Sequence, residues 1–278
     1  MFYLNEANID DNMVGEESTE QLDKVFVLAL RNAIKNDELS IAYQPRYDTK
    51  DGKCHILEAL VRWPRKGIGI LYPNAFIDEA IKYGLIYELD LWVFKQSCRD
   101  LIELRKHIDS NIKIAINITP LECESLHHTQ KLIYICESSG LKLSDFEFEI
   151  TESTHTNDIR KIKTFCKTVI NYGAAISLDD FGTCYSPLSN LCDLPVDYIK
   201  IDRSFTNKIG LRTRSNILVN HLIRLAHEME IKVVAEGIEH AFQRDLLMDM
   251  GCDQLQGFYM CKPLTSKQIT PSNIVMQY

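Results

Sequence analysis

Several features are scarce in this chain, and each scarcity removes a class of protein. No apolar run approaches the roughly 18–20 residues needed to cross a bilayer. The opening stretch MFYLNEANIDDNMVGEESTEQ contains no Lys or Arg and several acids, so it does not read as a secretory signal. A cytoplasmic location is the expectation. The nine cysteines include no C-x-x-C pair and leave one unpaired, which fits reduced thiols in a core better than a disulfide framework. The eight histidines are equally scattered and give little support to a zinc site. Positive charge is also short. A net charge of −8 repels long nucleic acids, which are held by rows of Lys and Arg, so no nucleic-acid polymer is expected as a partner. A small anionic substrate is admissible only where bound cations or a local Lys or Arg neutralise it.

What is present is ordinary in bulk and patterned in detail. Hydrophobic residues make up 45% and charged residues 25%, as in chains that bury a core, and 278 residues fit one large α/β domain or two smaller ones. Residues 1–19 read as a flexible acidic tail, residues 20–36 as a helix, and residues 37–278 as the main domain. From there short β-rich segments alternate with amphipathic stretches of helical length, the mark of βα units and a mostly parallel sheet. The expected strands are Ser40–Tyr47, His55–Leu60, Lys113–Ile118, Phe146–Thr151, Ala175–Asp180, Tyr198–Asp202, Lys232–Glu236 and Gln254–Phe258. Asp51-Gly52 separates the first two, which predicts an antiparallel hairpin. Helices are expected over Ile86–Lys106 and Arg214–Glu230. Eight strands with intervening helices point to a closed (β/α)8 barrel opening on an irregular hairpin. An open doubly wound sheet is the alternative, but no G-x-G-x-x-G follows the first strand, and Gly67-Ile68-Gly69 reads as a turn.

The informative residues are the polar ones at the strand ends. Glu58, Asn117, Glu149, the pair Asp179-Asp180, Lys200, Glu236 and Gln256 each fall where a strand gives way to its loop. In a barrel these ends gather on the face where active sites lie. So many carboxylates in one mouth repel one another unless a cation joins them. Glu58, Asn117, Glu149 and Asp179 offer oxygen only, which suits Mg²⁺ or Mn²⁺ rather than zinc. Asp180 could hold a second ion roughly 3.5–4 Å away, with Asp179 bridging, the arrangement that clamps a phosphodiester. Lys200 would orient water or offset phosphate charge, and Arg62 would grip a phosphate oxygen.

Each residue also has a plain alternative. Asp179-Asp180 before Phe-Gly can be a helix cap or turn pair. Glu152 and Glu239 can be surface or loop-anchoring acids. Lys200 can form a structural ion pair with Asp202. Phe26–Leu30 reads as helix packing. The joint pattern carries the catalytic reading.

At these same residues the sequence resembles the EAL-domain family of cyclic di-GMP phosphodiesterases, from about Leu39 to Leu264. Tyr43-Gln44-Pro45 precedes Glu58-Ala59-Leu60-Val61-Arg62-Trp63. D-D-F-G-T spans Asp179–Thr183, and L-P-V-D-Y-I-K-I-D-R-S-F spans Leu194–Phe205. A-E-G-I-E covers Ala235–Glu239 and Q-G-F covers Gln256–Phe258. The resemblance implies a modified TIM barrel with an antiparallel first strand, hydrolysis of cyclic di-GMP to linear 5′-pGpG with Mg²⁺ or Mn²⁺, inhibition by Ca²⁺, and a homodimer. By the same resemblance Glu58, Asn117, Glu149 and Asp179 are first-metal ligands and Asp180 a ligand of the second. Lys200 holds the nucleophilic water, Glu236 is an acid near metals and water, and Gln256 supports that region. Gln44 and Arg62 contact substrate, Glu152 steadies the loop after Asp180, and Glu239 is a supporting acid. Cys184 and Pro187 depart from the glycine and serine usual in that loop, and Ile56 stands where a glycine is common. The altered loop leaves one alternative, a weakly catalytic receptor for the same nucleotide.

Overall fold

In the computed structural model, residues 24–151, 158–182, 189–210 and 213–276 are described. The expected tail, Glu152, Cys184 and Pro187 lie outside them. Ten strands form: β1 (Ser40–Asp48), β2 (Cys54–Arg65), β3 (Gly69–Leu71), β4 (Lys113–Ile118), β5 (Phe146–Thr151), β6 (Ala175–Phe181), β7 (Tyr198–Ile201), β8 (Lys232–Ala235), β9 (Gln254–Leu255) and β10 (Leu264–Thr265). The order β1-β2-β4-β5-β6-β7-β8-β9 returns to β1, so eight strands close a ring, and β3 and β10 flank it. Pairings from β2 through β9 around the ring are parallel, while β1 is antiparallel to both neighbours. This is a TIM-like α/β barrel with a reversed first strand.

The β5 sequence FEFEIT explains how the barrel divides inside from outside. Phe146 and Phe148 meet Phe94 at ring distances of 4.8 and 6.0 Å, and Phe148 meets Phe165 at 5.6 Å. Phe94 lies on α3 (Ile86–Leu104) and Phe165 on α6 (Ile159–Asn171). The phenylalanines thus face the helical coat, and the strand's two-residue period turns Glu147 and Glu149 to the interior. Residues 24–35 are helical, with Leu30 and Ala33 fully buried and Phe26 edge-on to Trp63 at 5.2 Å. Phe26 therefore packs, as expected. Among the described residues no helix is long and apolar enough to cross a membrane.

Most boundaries differ from the sequence reading by one or two residues, and the larger differences lie at β2, β3 and β9. β2 continues to Arg65, beyond Leu60, because β3 pairs with its far end through Trp63↔Leu71 and Arg65↔Gly69. Gly69 thus begins a strand instead of completing a turn. β9 stops at Leu255, short of Phe258, because the following backbone bonds across to Ile238: Gln256 O accepts from Ile238 N–H at 3.1 Å, and Tyr259 N–H donates to Ile238 O at 2.9 Å. That crossing needs glycine. A Cβ on Gly257 would meet Ile238 O at 2.1 Å.

Candidate active site

Lys200 is the centre of the barrel mouth. It is 1% exposed, and its ammonium lies 2.6 Å from Glu236 Oε1, 2.7 Å from Glu149 Oε2, 3.2 Å from Asp179 Oδ1 and 3.7 Å from Glu58 Oε2. Side chains from β2, β5 and β6 and from the residue just past β8 therefore converge on one cation. The amides complete the ring: Asn117 Nδ2 donates to Glu58 Oε1 at 3.0 Å, and Gln256 Nε2 donates to Glu58 Oε2 at 2.7 Å. Gln44 stands directly opposite Glu58 in the β1–β2 register and donates to Cys261 O at 3.2 Å. The β6–β7 register shifts between Leu178 and Phe181, and Asp180 takes φ +55° there, a left-handed conformation that aspartate tolerates better than most side chains. The bulge separates the two adjacent aspartates: Asp179 points to Lys200, while Asp180 is exposed.

Charge decides the protonation of this ring. Burial lowers the basicity of Lys200, but Asp179, Glu149, Glu236 and Glu58 together hold it well above the ordinary lysine value. It is an ammonium ion. Burial pushes Glu58 up, yet Lys200 and the donors on Asn117 and Gln256 bring it below the usual carboxylate range. Glu236 goes the other way, pushed to about 8 by burial and by Asp179 and Glu58, against the pull of Lys200. Asp180 is raised by burial and by Asp179 and Asp202. Because Glu236 keeps its proton to about 8 in the fold but only to 4.5 unfolded, the native state binds more protons between these values. That contribution is fully present below the lower value and lost as pH rises through the upper one. The metal-stripped protein is expected to melt at a lower temperature in mildly alkaline than in mildly acidic buffer, and Glu236→Gln to flatten that slope. Scanning fluorimetry across pH checks it.

The ring fits a hard divalent cation on its own chemistry. Glu58, Glu149, Asp179 and Glu236 bring four carboxyl groups to one lysine with Asp180 next in the chain to Asp179, and Glu149, Asp180 and Glu236 are driven towards protonation by burial and by their acidic neighbours. Gln256 Oε1 is buried with no hydrogen-bond partner, a spare oxygen donor in the same ring. An all-oxygen, electron-rich set of this kind suits a hard divalent cation better than zinc.

The other expected residues are placed as follows. Glu239 is exposed beside the mouth and lines a cavity of about 240 Å³ with Gln44, Glu58, Lys200 and Glu236. Arg62 does not contact the carboxylates. It donates to Val61 O at 2.9 Å and lies 4.8 Å over the Tyr72 ring. The Lys200–Asp202 pair does not form, because Asp202 caps the short helix α8 (Arg203–Thr206) by accepting from Ser204 N–H at 2.9 Å. Asp179-Asp180 is not a helix cap either. Ile56 is a buried β2 residue paired with Lys113.

Sequence reasoning passed over the layer beneath the ring. Arg46, 2% exposed, grips Glu147 through two bonds of 2.8 and 2.6 Å and reaches Glu149 Oε1 at 3.3 Å. Its guanidinium also lies 5.1 Å over Tyr198. The signal was available: Arg46 follows Gln44, and Glu147 precedes Glu149, at the two-residue spacing that keeps side chains on one face.

Fold and mouth together define a TIM-like barrel with an acidic, oxygen-donor centre at the carboxyl ends of its strands. The chain belongs to the EAL domain family, whose model matches residues 27–263. It is 35% identical over 235 residues to cyclic di-GMP phosphodiesterase NbdA of Pseudomonas aeruginosa, covering 84% of this chain and 30% of that protein. It is 32% identical over 255 residues to signaling protein YkoW of Bacillus subtilis, covering 92% and 32%. Among solved structures, the PaMucR phosphodiesterase in its c-di-GMP complex superposes with a TM-score of 0.81 at 31% identity, covering 87% of this chain and 98% of that one. The EAL enzyme Bd1971 in its cAMP- and cyclic-di-GMP-bound form gives a TM-score of 0.85 at 28% identity, covering 92% and 70%. The chain spans about a third of the length of these curated relatives.

Proposed function

We propose that this chain is a phosphodiesterase domain that opens cyclic di-GMP to linear 5′-pGpG, and that its mouth does the chemistry. The observation that carries the reading is Lys200, fully buried and ringed by Glu58, Glu149, Asp179 and Glu236 at the strand ends. Glu58 and Leu60 border two cavities, of about 460 and about 240 Å³, a layout that suits a two-fold symmetric dinucleotide with a scissile phosphate near Glu58.

Glu58, Asn117, Glu149 and Asp179 would hold one divalent cation and Asp180 a second. When bound, such cations neutralise phosphate charge and make water acidic enough to ionise near neutral pH. The chain's own residues supply the remainder. Lys200 orients the attacking water and offsets the charge that builds on the phosphoryl oxygens. Glu236, whose carboxyl burial and the neighbouring acids push up, holds or accepts a proton at the reacting water. Gln256 fixes Glu58, and Gln44 and Arg62 meet the substrate, Arg62 by leaving its stack on Tyr72. Water oxygen bonds to phosphorus, the phosphorus–3′-oxygen bond breaks, and the 3′-oxygen takes a proton.

Purified protein incubated with cyclic di-GMP and Mn²⁺ or Mg²⁺ is expected to yield the linear dinucleotide by chromatography. Glu58→Gln is expected to yield none, and Ca²⁺ in place of Mg²⁺ to slow the reaction, since the larger ion relaxes the geometry. Absence of product at micromolar enzyme with either activating ion overturns the reading. Tight nucleotide binding without product would support the receptor alternative instead. The homodimer belongs to the same proposal, supported by the family resemblance alone, and light scattering that finds only monomer removes it.

A further inference from the structure

A second group of ligating side chains lies outside the Lys200 ring, on the helical side of the larger cavity that Glu58 and Asn117 also line. Asp90 sits on the buried stripe of α3, Glu122 on α4 (Pro120–Cys123) and His128 in the first turns of α5 (Leu126–Ser138). Their exposures are 6%, 1% and 2%, and one ligand atom from each lies within 4.8 Å of the others. The scattered histidines gave no sign of this in sequence, because three helices have to pack before the residues meet.

The group is not closed by its own hydrogen bonds. His128 Nε2 and Asp90 Oδ2 are 2.5 Å apart, and Glu122 Oε2 accepts the backbone N–H of Thr119 at 2.7 Å. Glu122 Oε1 is left buried with no partner. Two carboxylates and one imidazole within this radius, one oxygen uncommitted, make a donor set different in kind from the all-oxygen ring of the mouth. Imidazole with carboxylate oxygens suits a borderline first-row dication. Asp90 and Glu122 also line the cavity of about 460 Å³, from which a further ligand can approach.

We propose that Asp90, Glu122 and His128 form a second metal site, selective for a transition dication of the Zn²⁺ type and separate from the Mg²⁺- or Mn²⁺-type centre. Three protein ligands plus one position open to the cavity is the arrangement typical of non-structural zinc sites. The proposal does not rest on the proposed hydrolysis, although the two share the larger cavity, and it stands or falls on metal binding alone.

The test uses the full chain, stripped of metal and then dialysed against Zn²⁺ with excess Mg²⁺ to occupy the mouth, followed by metal analysis. About one retained Zn²⁺ per chain is expected. His128→Gln and Glu122→Gln should each weaken retention by at least about tenfold, whereas Asp179→Asn, which alters only the mouth, should retain the ion. Co²⁺ in place of Zn²⁺ gives a second readout, visible d–d bands of low coordination number in the wild type and in Asp179→Asn but not in His128→Gln. Circular dichroism confirms that each variant is folded, and the conservative Glu122→Gln stands in if His128→Gln is not. Equal retention by the wild type and both Gln variants, or loss of the ion in Asp179→Asn, overturns the site.

Discussion

Lys200→Met is expected to slow turnover by orders of magnitude and to destabilise the metal-stripped protein. The ammonium is the shared partner of Glu149, Glu236, Asp179 and Glu58, all drawn to within 3.7 Å of it, and the counter-ion of those that are ionised, Glu58 among them. Removing one partner of a buried ion pair strands the other charge and typically costs about 3–5 kcal/mol. In a chain of this size that lowers Tm by roughly 6–20 °C. At 1% exposure Lys200 has no solvent to soften the loss. Losing the group that positions the water should slow hydrolysis by about 10²–10⁴-fold. Mn²⁺ should return much of the lost Tm, because a dication can replace the missing counter-charge, but not the rate. Product chromatography together with melting curves in chelator and in Mn²⁺ checks both halves. An unchanged Tm in chelator would mean that the carboxylates are not ionised around the lysine, and the charge reading of the mouth would fail.

Arg46→Met is expected to destabilise by a similar amount, about 3–5 kcal/mol, for a reason one layer deeper. Arg46 answers both oxygens of Glu147 and one of Glu149, and burial leaves those carboxylates no water to turn to. The informative comparison is the double change Arg46→Met with Glu147→Met. Replacing both members of a buried pair with apolar side chains of similar size is often neutral or stabilising, so the double variant should recover most of the loss. Hydrolysis should not recover to the same degree, because Glu149 has then lost one of the two groups that fix its carboxylate. Urea unfolding of the singles and the double measures the coupling between the two residues. Additive losses in the double variant would show that Arg46 and Glu147 do not act as a pair.

Much of this architecture was legible in sequence because the local patterns agreed with the global one. Asp51-Gly52 between two β-rich segments announced a hairpin, and β1 and β2 form one. Glu149, Asp179, Lys200 and Gln256 were readable because each is a polar residue at or just past the end of an apolar strand, and Glu58 because it is a lone acid inside one, a pattern that makes little sense unless they meet. What stayed hidden depended on partners distant in sequence. Arg46 needed β5 beside the barrel axis before Glu147, 101 residues away, could be its partner. Asp90 stood on the apolar stripe of α3, a visible anomaly, but the chain offers no local clue that α4 and α5 deliver Glu122 and His128 to it. Gln254–Phe258 looks extended throughout, yet it leaves the sheet after Leu255, where a close backbone approach to Ile238 decides the path. Arg62 was assigned to a phosphate, while in the free mouth the ring of Tyr72 offers its guanidinium a nearer partner.

The reversed direction of β1 joins the two ends of the barrel in a way no other strand does. Its middle carries Gln44, opposite Glu58. Its carboxyl end runs to the floor, where Thr49 N–H donates to Asp253 O at 2.9 Å and Met276 N–H to Gly52 O at 2.7 Å. Both of its seams are antiparallel, so β1 is the splice between the opening of the barrel and its closing strand. The strand that carries Gln44 and Arg46 is therefore also the one that ties the floor of the barrel to its mouth.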